Sequence, residues 1–139
     1  MNKEMQTFKR IAFYKCERCG NVVVKVKDSG IAPFCCGQEM VELEAKTQDE
    51  LQESHMPVIR RLDYHTLLVC IGTRPHPMTA EHHICFLCLV TSKGFTLRYL
   101  AGQTTAEAYF LIPNDVLEVY AYCNIHGLWK LSTSYQCRV

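Results

Sequence analysis

Cys123 and His126 stand three positions apart in Ala121-Tyr122-Cys123-Asn124-Ile125-His126-Gly127-Leu128-Trp129, just after an apolar run and directly before a glycine. A thiol and an imidazole at that spacing can hold a metal, act as nucleophile and base, or fill a core. Asn124 and Gly127 are turn formers, so both side chains can converge from one loop on one ion. Three further histidines occupy turn-like or strand-edge positions: His55 in ESHMP, His76 in RPHPM and His82 in AEHH. His76 lies between Pro75 and Pro77, which disfavour helix and hold it on a stiff, extended loop. A nucleophile–base pair of Cys123 and His126 would leave these three histidines unexplained.

A second set of candidate ligands lies near the N-terminus. Cys16-Glu17-Arg18-Cys19-Gly20 and Cys35-Cys36-Gly37 are two cysteine pairs, each followed at once by glycine. Four thiolates suit a tetrahedral iron or zinc ion, and a glycine after a ligand lets the backbone turn tightly around the sulfurs. Two disulfides or four unrelated buried thiols are the competing readings. The thiolates alone do not separate structural zinc from redox iron.

The bulk properties narrow the setting. The chain has 139 residues, is 48% hydrophobic and 21% charged, and carries a formal net charge of +1. That is ordinary globular material, with no whole-molecule attraction for nucleic acid or a membrane surface. The basic residues form no block longer than Arg60-Arg61. Lys3, Glu4, Lys9 and Arg10 interrupt the N-terminus where a signal peptide needs an apolar run, and no later run approaches the ~18 residues of a spanning helix. The expected location is therefore the cytoplasm, where the nine cysteines would stay reduced and metal ligation is favoured over disulfides.

The elements that must position these ligands read as short strands. Residues 11–15 and 21–27 precede a turn-rich stretch, and about forty residues are too few to bury much core, so a metal or cross-links must help hold them. The polar segment 44–54 reads as a linker or domain edge. Beyond it, strands are expected over 66–72, 82–90, 95–101, 108–112, 116–123 and 128–133, separated by Gly, Pro, Asn and Ser. That spacing, with no long helical pattern, predicts an all-β sandwich or barrel. Two domains are expected, 1–43 and 44–139.

With YKCERCGN, PFCCGQEM, ESHMPVI, IGTRPHPMTAEHHI and AYCNIHGLW in this order, the chain resembles the two-iron desulfoferrodoxins, superoxide reductases with an extra N-terminal desulforedoxin-like domain. The resemblance spans about residues 13 to 133. It implies a first iron held by Cys16, Cys19, Cys35 and Cys36. It implies a second iron with His55, His76, His82 and His126 in a plane, Cys123 as the axial thiolate, and a sixth position open or transiently taken by Glu53. It further implies an immunoglobulin-like seven-stranded β-sandwich after the small metal domain, a homodimer, and reduction of superoxide to hydrogen peroxide with Glu53, His55 and Cys123 in the catalytic site. An external donor such as rubredoxin or a rubredoxin-like reductase would re-reduce the iron.

The chain departs from the family at one telling place. The common pattern at the first histidine is Glu-Lys-His, whereas here the residues are Glu53-Ser54-His55. The missing lysine leaves open an electron-transfer or iron-binding protein with weakened activity, or activity redirected toward peroxide. A zinc module joined to a binding β-sandwich is a third reading. Arg74 is a possible substitute charge, with a merely solvated side chain as the alternative. If 82–90 is a strand, Cys85 and Cys88 face opposite sides and share no metal without a bulge, so packing is their expected role. Cys70 and Cys137 have no visible partner, and His65 and His83 are left outside the site.

Overall fold

The computed structural model describes residues 11–49, 54–72, 74–113 and 115–133, and none of them is helical. The chain divides into two compact units, Met1–Glu44 and Ala45–Val139.

The first unit carries β1 (Ala12–Lys15), β2 (Val22–Lys25), β3 (Phe34–Cys35), β4 (Gln38–Glu39) and β5 (Val41–Glu42). A three-stranded sheet runs in the order β2-β1-β5, and β3 pairs with β4 as a separate hairpin. Its core is small: Ala12, Tyr14, Cys16 and Met40, with Ala32 and Cys35 against them. One of the candidate ligands is thus itself core material. The hairpin pairs Cys35 with Gln38, so Cys36 and Gly37 form its two-residue loop. Both have positive φ, 54° and 77°. Two-residue hairpins of this twist require that conformation at both central positions, which is why glycine follows Cys36.

The second unit carries β6 (Pro57–Arg61), β7 (Thr66–Ile71), β8 (Ile84–Thr91), β9 (Gly94–Tyr99), β10 (Glu107–Leu111), β11 (Glu118–Cys123) and β12 (Gly127–Ser132). They form two antiparallel sheets, β10-β7-β6 and β12-β11-β8-β9. Leu67, Val69 and Phe110 from one sheet and Leu87, Leu89, Val119, Ala121 and Trp129 from the other meet in a shared core. The second unit is a β-sandwich with the three-plus-four strand division of the immunoglobulin-like class. Central β7 and β8 are buried along nearly their whole length, while edge strand β9 is mostly exposed.

Six of these strands lie within two residues of their expected limits. Strand β6 was not legible, because Pro57 and Arg60-Arg61 mask its apolar alternation. Proline is tolerated at the first residue of an edge strand. Pro57 is buried, Val58 and Arg60 are exposed, and Ile59 and Arg61 lie between.

A β-bulge interrupts the β11–β8 ladder: Tyr122 pairs with Phe86, but Cys123 pairs with Ile84. Cys85 is the extra residue. The slip turns Ile84 into the core, fully buried, and re-aims the chain just downstream of His82, as bulges do beside functional sites. The bulge that would lift the opposite-face argument for Cys85 and Cys88 is therefore present. Even so, no described group of three or more metal donors includes either residue. Burial pushes the Cys88 thiol up to about 12, as expected of a packing thiol.

Candidate metal centres

Five side chains from four separate segments converge in the second unit. One ligand atom from each of His55, His76, His82, Cys123 and His126 lies within 4.8 Å of every other. Metal–nitrogen bonds of about 2.1 Å put adjacent ligands about 3 Å apart and opposite ones about 4.2 Å apart. His126 Nδ1 lies 3.2 Å from His55 Nε2 and 3.8 Å from Cys123 Sγ. The spacing fits one shared ion.

The four imidazoles follow one another in a closed ring. Their centroids are 4.6 Å apart for His55–His76, 4.7 Å for His76–His82, 5.0 Å for His82–His126 and 5.0 Å for His126–His55. Each neighbouring pair meets edge to face, at 67° to 80°. Cys123, His55 and His76 are buried, while His126 is exposed, so the cluster has a solvent edge.

Each ligand is held by its own local device. His55 leads into β6, and its N–H donates to Asp49 Oδ1 at 2.6 Å while that of Met56 donates to the same atom at 2.8 Å. The His76 Nδ1 contact to the Pro77 carbonyl, 2.7 Å, fixes the tautomer. A carbonyl only accepts, so Nδ1 carries the proton and Nε2 presents its lone pair, the usual arrangement behind a histidine ligand. Nε2 of His76 and of His82 are buried and make no hydrogen bond. The backbone of His82 is pinned by Thr79, whose Oγ1 accepts from His82 N at 3.1 Å and whose N–H donates to His82 O at 2.9 Å.

Cys123 ends β11 and pairs across the hairpin with Gly127, whose φ of 97° closes the three-residue loop. A β-branched or bulky residue resists that conformation, and glycine does not. The loop returns His126 N–H to within 3.4 Å of Cys123 Sγ. Asn124 ties this loop to the one bearing His82: its Oδ1 accepts from His83 N at 2.9 Å and its Nδ2 donates to Glu81 O at 2.9 Å. His83 turns away and meets Thr79 O through Nδ1.

Glu53 and Cys137 lie outside the described residues. Ser54 is not at a solvent rim: it is 1% exposed, and its Oγ accepts from Arg74 N at 3.2 Å. Gly72 leaves the room, since a Cβ there would stand 3.3 Å from Ser54 Cβ. Ser54 is thus a staple onto the loop that leads to His76. Cys70 is half-buried on β7, and the described cysteines form no disulfide.

Several supporting contacts were invisible to pattern reading. Within the segment read as a linker or domain edge, residues 45–49 form a strap on the sandwich, with Lys46 bridged to Trp129 and Asp49 on His55. Residues 46–49 stay exposed, and the side chains of Lys46 and Asp49 also make hydrogen bonds. Trp129, 1% exposed, stacks on His55 and donates from Nε1 to Gln48 O at 3.3 Å.

In the first unit the ligand atoms of Cys16, Cys19, Cys35 and Cys36 likewise lie within 4.8 Å of one another. Tetrahedral metal–sulfur bonds of about 2.3 Å imply sulfurs about 3.8 Å apart. Cys19 and Cys35 are 3.6 Å apart and Cys35 and Cys36 4.0 Å, too far for a disulfide of about 2.05 Å. The backbone N–H of Cys19, aimed at the Cys16 sulfur, pulls that thiol down to about 6. Cys36 is pushed up to about 12, first by Cys19 and then by Cys16. Thiols that resist joint ionisation form a cluster built for a cation.

A β-sandwich with a histidine–cysteine centre, joined to a four-cysteine module, defines a two-centre non-haem metalloprotein. The family models agree, with Desulfoferrodoxin matching residues 47–132 and Desulfoferrodoxin, N-terminal domain, matching residues 8–43. A desulfoferrodoxin homolog of Archaeoglobus fulgidus is 38% identical over 117 residues, 84% of this chain and 93% of its own. The desulfoferrodoxin of Desulfarculus baarsii is 38% identical over 122 residues, 87% and 95%. Among solved structures, the superoxide reductase from Treponema pallidum superposes with a TM-score of 0.75 at 29% identity, covering 89% of this chain and 100% of that one. The chain belongs to the desulfoferrodoxin family. That membership and the two donor sets together support iron binding. No helix among the described residues is long and apolar enough to cross a membrane.

Proposed function

We propose that this chain is a superoxide reductase with two irons, one held by Cys16, Cys19, Cys35 and Cys36 and one by His55, His76, His82, His126 and Cys123. The observation that carries the reading is the closed ring of four imidazoles with a buried thiol beside it and a solvent edge at His126. Iron bound there would supply a one-electron couple tuned by its thiolate ligand.

The side chains do the rest. Four neutral imidazoles and one thiolate leave a ferrous centre with a net charge of about +1, which favours an anionic substrate. Superoxide takes one electron and two protons and leaves as hydrogen peroxide. The exposed edge at His126 admits the substrate and supplies the protons, and, as the family resemblance implies, the remaining ligand place would be open or transiently taken by Glu53. The electron comes from an external donor, rubredoxin or a rubredoxin-like reductase, and the protein works as a cytoplasmic homodimer with domains at 1–43 and 44–139. The relatives' names favour this reading over a redirected peroxide activity.

The test is pulse radiolysis of the reduced, iron-loaded protein. One hydrogen peroxide per iron oxidised at the histidine–cysteine centre, with no dioxygen evolved, is expected. A fully loaded protein inert to superoxide sinks the reading. Colour separates it from a zinc module, because ferric thiolate absorbs visible light and zinc does not.

A further inference from the structure

The strap before the first histidine ligand carries a fixed cation. Lys46 N–H donates to Leu128 O at 2.9 Å, and Lys130 N–H donates to Lys46 O at 2.8 Å, so the lysine backbone is locked beside Trp129. Its ammonium sits 4.5 Å from the Trp129 ring centre and donates to the His126 carbonyl at 3.4 Å. The imidazole of His55 lies parallel to the same indole at 3.9 Å, which leaves no room for an ammonium on that face. Ammonium, indole and ligand imidazole therefore stack in that order.

Lys46 is exposed, as is the His126 edge it touches, and among the described residues it forms no ion pair. The carboxylate on the same strap, Asp49, accepts from His55 N and Met56 N through Oδ1. Ser54 is buried and uncharged. Arg74 is exposed, and its N–H donates to Ser54 Oγ. The Lys46 charge is locked against a ligand loop at the solvent edge.

We propose that Lys46 is the charge that draws an anionic substrate to the histidine–cysteine centre, a role that rests on the superoxide reading above. Its ammonium is no farther from the His55 ring than the two stacking distances laid end to end, 4.5 Å and 3.9 Å. That reach is comparable to the Debye length of about 8 Å at physiological salt, so added salt should remove the effect. Charge at the edge of a site acts on the encounter rate rather than on the chemistry that follows.

The experiment uses the full iron-loaded chain with Lys46→Gln and Lys46→Arg, read two ways: the second-order rate constant with superoxide, and azide affinity from the visible spectrum. At low salt Lys46→Gln should lower the rate constant about two- to fivefold and weaken azide by a similar factor. Both differences should shrink at about 0.5 M salt, and Lys46→Arg should restore both. An unchanged rate at low salt, a loss that is the same at every salt concentration, or no rescue by arginine overturns the assignment. Should the unmodified protein fail to reduce superoxide, the reductase reading falls and azide decides for Lys46: equal affinities overturn it, and a salt-sensitive loss restored by arginine upholds it.

Discussion

The indole of Trp129 lies flat on the imidazole of His55, with ring centroids 3.9 Å apart and planes 8° from parallel. The stack joins the sandwich core to the metal centre, since Trp129 belongs to the core cluster and His55 to the ring of ligands. Packing and metal affinity are therefore linked through one contact.

Replacing Trp129 tests that link. Trp129→Ala should cost about 3–5 kcal/mol of stability through the cavity it opens, and the loaded protein should lose metal at the histidine–cysteine centre first. Trp129→Phe keeps a ring against His55 but lacks the donor to Gln48 O, and should cost closer to about 1 kcal/mol. Chemical denaturation of the metal-free proteins and chelator competition of the loaded ones check both. A loss of ordering support of this kind typically weakens metal roughly tenfold to a hundredfold.

Ser54→Ala removes the acceptor of Arg74 N, an N–H on an exposed residue that water can reach. The expected cost is about 0.5–1.5 kcal/mol. Because the staple holds the loop that leads to His76, iron release from the histidine–cysteine centre should quicken while the four-cysteine centre is unaffected. Stopped-flow transfer to a chelator, followed at the two centres' separate absorption bands, measures this. Equal release rates from Ser54→Ala and the unmodified protein would refute the staple.

At the four-cysteine cluster, Asn21 Nδ2 donates to Cys35 Sγ at 3.6 Å. Hydrogen bonds to ligand sulfurs stabilise the more negative, reduced state and raise the reduction potential. Asn21→Leu should therefore shift the midpoint potential of this centre to more negative values. Asn21→Gln, which retains a donor, should recover part of the shift. Redox titration of the visible bands is the measurement, and a potential unmoved by Asn21→Leu rules the bond out as a tuning element.

Metal loading at the same cluster should depend steeply on pH. Cys36 is pushed up to about 12 and Cys35 is also raised, chiefly by Cys16, so at neutral pH both carry protons that a metal must displace. With at least these two protons released, apparent affinity should rise at least about a hundredfold per pH unit near neutrality and fall correspondingly on acidification. Cys16, held down to about 6, adds little above pH 7. Chelator competition between about pH 6.5 and 8 gives the slope, and a flat profile contradicts the assignment.

The sequence alone carried the ligand types, their spacings, and the alternation that makes a β-sandwich, because metal chemistry restricts donors to a few residue types and burial restricts strands to apolar runs. It also marked Gly37 and Gly127, since hairpin loops that end on a ligand require positive φ. Pattern reading did not reach what depends on long-range contact. The strap at 45–49 is polar and so reads as a linker or domain edge, and nothing in its pattern says that it lies along Trp129 and holds His55. Ser54 reads as a lost charge at a rim, yet it is buried against Gly72. The bulge opposite Cys123, the closed order of the four imidazoles and the Lys46–Trp129–His55 stack join residues up to 83 positions apart. Such relations arise only when two sheets close on one core, because local propensity has no term for partners that distant in the chain.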